Sequence, residues 1–141
     1  MSVDSKENIQ RFVQNYDDIR ISLKMLEEGT ISDINIRDSW YYDRTALMYQ
    51  AWLCTVKSME SLLAHKPPAL VNLKDSDGWT ALYWAVWGGD DGPAKVRLLL
   101  DHGADKTIRD IRGRTALDVA RNNYRTECIK VLESYTPKPR G

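Results

Sequence analysis

Asp75-Ser76-Asp77-Gly78-Trp79-Thr80-Ala81-Leu82-Tyr83-Trp84-Ala85 opens a unit that Val96-Arg97-Leu98-Leu99-Leu100-Asp101-His102-Gly103-Ala104-Asp105 closes. Its Thr80-Ala81-Leu82-Tyr83 recurs as Thr45-Ala46-Leu47-Met48 before it and as Thr115-Ala116-Leu117-Asp118 after it, at an interval of 35 residues each time. Self-similarity at a fixed period means one supersecondary unit copied and stacked. A stacked array has no central cleft, but it presents a long continuous surface. The pattern therefore points to binding rather than catalysis.

The chain has 141 residues, 43% of them hydrophobic, which suits one domain with a buried core. No apolar stretch approaches the ~20 residues that a bilayer crossing needs. The polar start, Met1-Ser2-Val3-Asp4-Ser5-Lys6, predicts no secretory signal. Two cysteines, Cys54 and Cys128, form neither a disulfide framework nor a paired ligand spacing. A reducing intracellular compartment is expected, cytoplasmic or nuclear. The net charge is zero, yet residues 106–141 hold nine basic against four acidic side chains, +5, which leaves −5 on residues 1–105. Such polarity steers a partner. Without a basic excess on the whole domain, nucleic acid is not the expected partner, and neither is a membrane.

Each part of the unit has a physical reason. Gly78 and Gly113 supply the positive φ of a tight turn. Thr80 and Thr115 place hydroxyls where a first helix needs N-caps. Leu82 and Ala85, then Val96, Leu99 and Leu100, set apolar side chains at helical spacing. Gly103 stops the second helix. Together, the Asp-x-x-Gly-x-Thr opening and the Leu-Leu-x-x-Gly-Ala-Asp close resemble the ankyrin repeat, whose period is about 33 residues. That resemblance implies an all-α solenoid of about four helix-turn-helix repeats with β-turn fingers. The expected repeats are residues 4–37, 38–74, 75–109 and 110–134, in one domain over 1–136, with a frayed tail at 137–141. The first copy is truncated. Its residues 4–15 are expected to form a capping helix with Ile9, Phe12 and Val13 on one side.

The departures from the family pattern matter as much. Each interval is two residues longer than usual, and the surplus falls in different loops. One is Gly89-Asp90-Asp91-Gly92-Pro93, where Pro93 suits the start of the second helix. Another is the glycine-free finger Asp38-Ser39-Trp40-Tyr41-Tyr42-Asp43-Arg44. A third is Lys66-Pro67-Pro68-Ala69-Leu70-Val71-Asn72, which replaces the usual close. Ala46, Ala81 and Ala116 stand at the family's proline. Met48, Tyr83 and Asp118 stand at its histidine, so that residue's hydrogen bonds must be made otherwise, and lower stability is expected.

In the family, fingers and first helices form a concave docking face. Carried over, this implies a protein partner held by Trp40, Tyr41, Tyr42, Arg44, Trp52, Asp77, Trp79, Trp87, Arg112 and Arg114. Trp52 and Trp87 occupy equivalent first-helix positions, and tryptophan, tyrosine and arginine are the side chains that dominate interfaces. The competing reading is packing, in which Trp52 or Trp87 tucks against the neighbouring finger. Tyr49 and Trp84 are expected to pack between repeats. An adaptor or a masking, inhibitory subunit is the favoured role. A bacterial or parasite effector, or a homo-oligomerising scaffold, is the alternative, and a homodimer is not favoured.

Enzyme readings find little support. His65 and His102 fall at helix ends, where a polar ring suits terminal carbonyls. Cys128 reads as buried filler. The glycines around Asp90 lack the strand and the Lys-Ser/Thr of a phosphate loop. Asp90 and Asp91 fall short of the 6–8 oxygens that Ca²⁺ takes. No catalytic residue, metal or cofactor is expected.

Overall fold

The computed structural model describes residues 5–15 and 18–136. The expected tail at 137–141 and the first residue of the expected capping segment, Asp4, lie outside these. Among the described residues eight α-helices follow one another: α1 (Lys6–Val13), α2 (Ile19–Glu27), α3 (Ala46–Leu53), α4 (Val56–Ala64), α5 (Ala81–Val86), α6 (Gly92–Asp101), α7 (Ala116–Asn122) and α8 (Thr126–Ser134). They form four antiparallel pairs. Within the array, α1, α3, α5 and α7 stack on one side and α2, α4, α6 and α8 on the other. Among the described residues there is no β-strand.

The core runs along the seam between these layers. Phe12, Met25, Leu47, Met59, Leu62, Leu82, Val96, Leu99 and Leu132 are buried there, with Cys128 filling the far end. Burial also pushes the Cys128 thiol above its ordinary pKa. α1 carries Ile9, Phe12 and Val13 inward, as its spacing predicts, but it does more than cap. It pairs with α2, where the Ser22 hydroxyl donates to the Phe12 carbonyl at 3.0 Å. Its own start is capped by the Ser5 hydroxyl.

The threonines behave unequally. Thr115 caps α7 by accepting from the Asp118 N–H at 3.2 Å, and Asp118 returns the favour to the Thr115 N–H at 3.0 Å. Met48 does the same for Thr45 through its thioether, at 3.4 Å in each direction. Thr80 departs from expectation and makes no side-chain cap. The Tyr83 N–H goes instead to the Thr80 carbonyl at 3.1 Å. Three positions after the threonine, an acceptor that bends back builds the reciprocal pair. Tyr83 cannot, because its hydroxyl lies 2.6 Å from both the Ile108 carbonyl at the end of its own repeat and the Arg114 carbonyl of the next. Tyr83 thereby makes an inter-repeat bond from the position where the family pattern has histidine. Burial, with the nearby negative charge of Asp110, raises its phenol to about 12.

The surplus residues between α5 and α6 form a 3-10 turn, Gly89–Asp91, and Pro93 falls one residue inside α6. Beneath this turn, Lys95 is buried, with Nζ 3.1 Å from the Gly88 carbonyl. Desolvation holds its amine below the usual lysine range. His65 and His102 occupy the C-cap positions of α4 and α6, and His65 Nδ1 lies 2.9 Å from the Pro67 carbonyl.

Candidate functional site

The fingers are closed by one repeated bond, from the N–H of an aspartate to the carbonyl of the residue that precedes the repeat threonine. Asp38 reaches Arg44 at 2.9 Å, Asp75 reaches Trp79 at 2.9 Å, and Asp110 reaches Arg114 at 2.8 Å. Each aspartate is buried, because its carboxylate also accepts the finger's own N–H groups. Asp75 Oδ1 takes those of Asp77 and Trp79; Asp110 Oδ1 takes those of Arg112 and Arg114. Successive fingers are stitched by Ser76 N–H to Tyr42 O at 2.8 Å and Ile111 N–H to Asp77 O at 3.2 Å. Both donors and acceptors are 35 residues apart, so the sequence period is also the spatial register.

The first finger turns without glycine. Tyr42 and Asp43 take φ values of 60° and 54°, and this strained pair leaves three aromatic side chains in a row at the tip. Trp40, Tyr41 and Tyr42 are 49%, 48% and 56% exposed. Lys6 of α1 lies over the Trp40 ring at 5.3 Å.

Behind the tips runs a chain of rings. Tyr49 meets Trp52 at 6.3 Å, Trp52 meets Trp84 at 4.9 Å, Trp84 meets Trp79 at 4.9 Å, and Trp79 stacks on Tyr83 at 5.5 Å. Trp84, expected to pack, is buried, and Tyr49 with it. Trp52 and Trp79 are half-buried, and both touch Trp84. The packing and docking sets thus share one aromatic layer. Trp87 is separate: the Arg125 guanidinium lies 4.9 Å from its ring, and its indole N–H is buried without a partner.

Arg44 points into the ring chain, whereas Arg114, at the equivalent finger position, pairs with its own Asp110 at 3.0 Å. Burial alone would raise the Asp110 carboxyl. The bonds from the Arg114 and Arg112 backbone, the Trp79 indole and the Arg114 guanidinium outweigh it and hold the group below the usual range. Asp75 lacks such a guanidinium bond, and burial leaves it raised. Asp77, Trp79, Trp84, Asp110, Ile111, Arg112 and Arg114 line a hollow of about 240 Å³ between the second and third fingers.

Sequence reasoning missed the asparagines three residues before the finger aspartates. Asn35 Oδ1 accepts from Leu70 N–H at 2.8 Å, and Asn72 Oδ1 from Asp105 N–H at 2.9 Å, tying each repeat to the next. Their common offset from Asp38 and Asp75 was the available signal. Among the described residues, no group of three or more His, Cys, Asp or Glu is arranged to hold a metal ion. No helix among them is long and apolar enough to cross a membrane.

A family model for ankyrin repeats (3 copies) matches residues 9–110. The human NAD-capped RNA hydrolase NUDT12 is 37% identical over 65 residues, which are 46% of this chain and 13% of that protein. The putative ankyrin repeat protein YahD of Escherichia coli K12 is 38% identical over 77 residues, 52% of this chain and 38% of that one. The chain thus spans well under half the length of these relatives. Among solved structures, the ankyrin repeat protein EF0377 superposes with a TM-score of 0.73 at 29% identity, covering 96% of this chain and 66% of that one. A chain in the complex of the Bdellovibrio bacteriovorus predatory endopeptidase Bd0816 with immunity protein Bd3460 does so with 0.66 at 28% identity, covering 83% and 57%. The helix pairs, the fingers and these matches agree: this chain belongs to the ankyrin-repeat family.

Proposed function

We propose that the protein is a non-enzymatic module that captures another protein on the face built by its fingers and first helices. Ankyrin repeats are protein–protein interaction modules, and the fold is generally non-catalytic. The observation that carries the reading is the first finger. It holds Trp40, Tyr41 and Tyr42 about half exposed on a backbone with two strained residues, outside the buried core. Exposed contiguous aromatics mark interaction sites, and strain persists where the surroundings enforce it. The hollow lined by Asp77, Trp79, Arg112 and Arg114 continues the same face. Trp52 and Arg44 join it to the tip, and Trp87 extends it toward the fourth repeat.

A masking role is favoured over an adaptor role by the likeness to a chain in an enzyme–immunity protein complex. The two cysteines, of which Cys128 is buried, suit a reducing cell interior. The test is affinity capture with the wild type and with a Trp40→Ala, Tyr41→Ala, Tyr42→Ala triple variant. The expected result is loss of the captured protein with an unchanged melting curve. Undiminished capture by the triple variant would overturn the reading.

A further inference from the structure

The surroundings of Arg44 carry a further inference, which rests on the docking reading above. Its Cζ lies 4.6 Å from the Trp84 ring centre, 4.7 Å from Tyr42, 5.7 Å from Trp52 and 5.8 Å from Tyr49. The side chain is 15% exposed, and its Nε is buried without a hydrogen-bond partner. Asp75 Oδ2, at 4.0 Å, is beyond hydrogen-bond reach, and the Trp84 indole already donates to it at 3.1 Å. Ring faces attract the charge without offering its N–H groups an oxygen or nitrogen acceptor. Among the described residues the Arg44 guanidinium makes no hydrogen bond, and its terminal nitrogens are not among the buried unpartnered atoms, so they reach the surface.

A guanidinium fixed by four aromatic walls, partly stripped of water and with open donors, is prepared for one kind of ligand. Its planar fork matches a carboxylate, and charge-assisted bonds strengthen where water is excluded. Holding the side chain in place beforehand removes the ordering cost that a free arginine bears on binding. Trp84 is also a wall of the 240 Å³ hollow, whose rim carries exposed Ile111 and the carboxylate of Asp77. Arg112 and Arg114 stand in its wall as well, Arg114 already paired with Asp110, and the exposed Ile111 with the Trp84 ring offers apolar contact to an aliphatic side chain.

We propose that Arg44 anchors a carboxylate side chain of the partner, and that the partner segment sets an apolar residue beside that acid, in the hollow beyond Trp84. The probe is acetyl-Glu-Leu-Glu-amide titrated into the full chain, read by the emission of the indoles that wall the cation. A saturable change is expected, with acetyl-Gln-Leu-Gln-amide binding roughly tenfold more weakly. Arg44→Gln should lose the preference for glutamate. Arg44→Lys, which keeps the cation and loses the fork, should retain only part of it and guards against misfolding of the first variant. Equal binding of the two peptides, an unchanged preference in both variants, or equally effective displacement by inorganic phosphate would each overturn the proposal. Capture that depends on the finger tip without any glutamate preference leaves the docking reading standing and removes this one. A glutamate preference alongside capture that ignores the tip does the reverse.

Discussion

The Trp79 indole donates to Asp110 Oδ2 at 3.0 Å, so a side chain from one finger reaches the carboxylate at the base of the next. The equivalent step one repeat earlier runs from Arg44 to Asp75, where the gap is 4.0 Å and no hydrogen bond forms. One position in the repeat thus has two uses. Trp79 locks two fingers together, while Arg44 leaves its donors open.

Trp79→Phe keeps the stack on Tyr83 and Trp84 but deletes the bond to Asp110. A hydrogen bond to a charged acceptor contributes about 1.5–3 kcal/mol, and Asp110 retains its other donors, so a loss near the lower end is expected. Urea denaturation reads it. A midpoint equal to that of the wild type would show the indole N–H to be energetically idle.

Tyr83→Phe removes the hydroxyl that sits between the Ile108 and Arg114 carbonyls. Leaving a buried acceptor unsatisfied costs about 1–3 kcal/mol. Because the bond joins the third repeat to the fourth, amides of α7 and α8 should exchange faster with solvent than those of α3 and α4. Uniform acceleration along the chain would contradict a local inter-repeat role.

Acid stability follows from carboxyls held low. Asp118 is depressed first by the Thr115 N–H, and Asp110 by bonds that overcome its burial. A group whose folded pKa lies below its unfolded value of about 4 contributes fully above that value. The contribution is lost as pH falls through the folded pKa. Asp75, raised by burial, acts in the opposite sense and relieves a buried charge on protonation. The fall in melting temperature below pH 4 should therefore be shallower in Asp110→Asn than in the wild type. Parallel acid limbs would show that Asp110 does not carry the dependence.

The helix pairs and finger register were legible because the 35-residue interval survives intact into space, as the bonds from Ser76 to Tyr42 and from Ile111 to Asp77 show. The Thr80 cap was misjudged because the deciding residue is Tyr83, and whether its side chain turns back or reaches forward depends on a carbonyl in another repeat. Arg44 was legible as a finger-tip residue, yet its aromatic enclosure was not. Tyr42, Tyr49, Trp52 and Trp84 converge on it from two repeats, and no local spacing encodes that convergence. The left-handed Tyr42 and Asp43 were hidden too, since neither is glycine.

Gly78 and Gly113 share a φ of +76° but differ in surroundings, which separates backbone strain from crowding. A Cβ at Gly113 meets nothing within 4 Å, so Gly113→Ala should lose only the left-handed penalty of about 1–2 kcal/mol. A Cβ at Gly78 would stand 2.9 Å from the Ile111 N and 3.0 Å from the Asp110 Cα, both backbone atoms that cannot rotate away. Gly78→Ala must therefore push the third finger off the second, stretching the 3.2 Å bond from Ile111 to Asp77 and opening the hollow between them. It should destabilise clearly more than Gly113→Ala in paired urea titrations, and it should weaken partner capture, which Gly113→Ala leaves intact. Equal losses in the two variants would mean that the fingers slide past one another freely and that their register owes nothing to this contact.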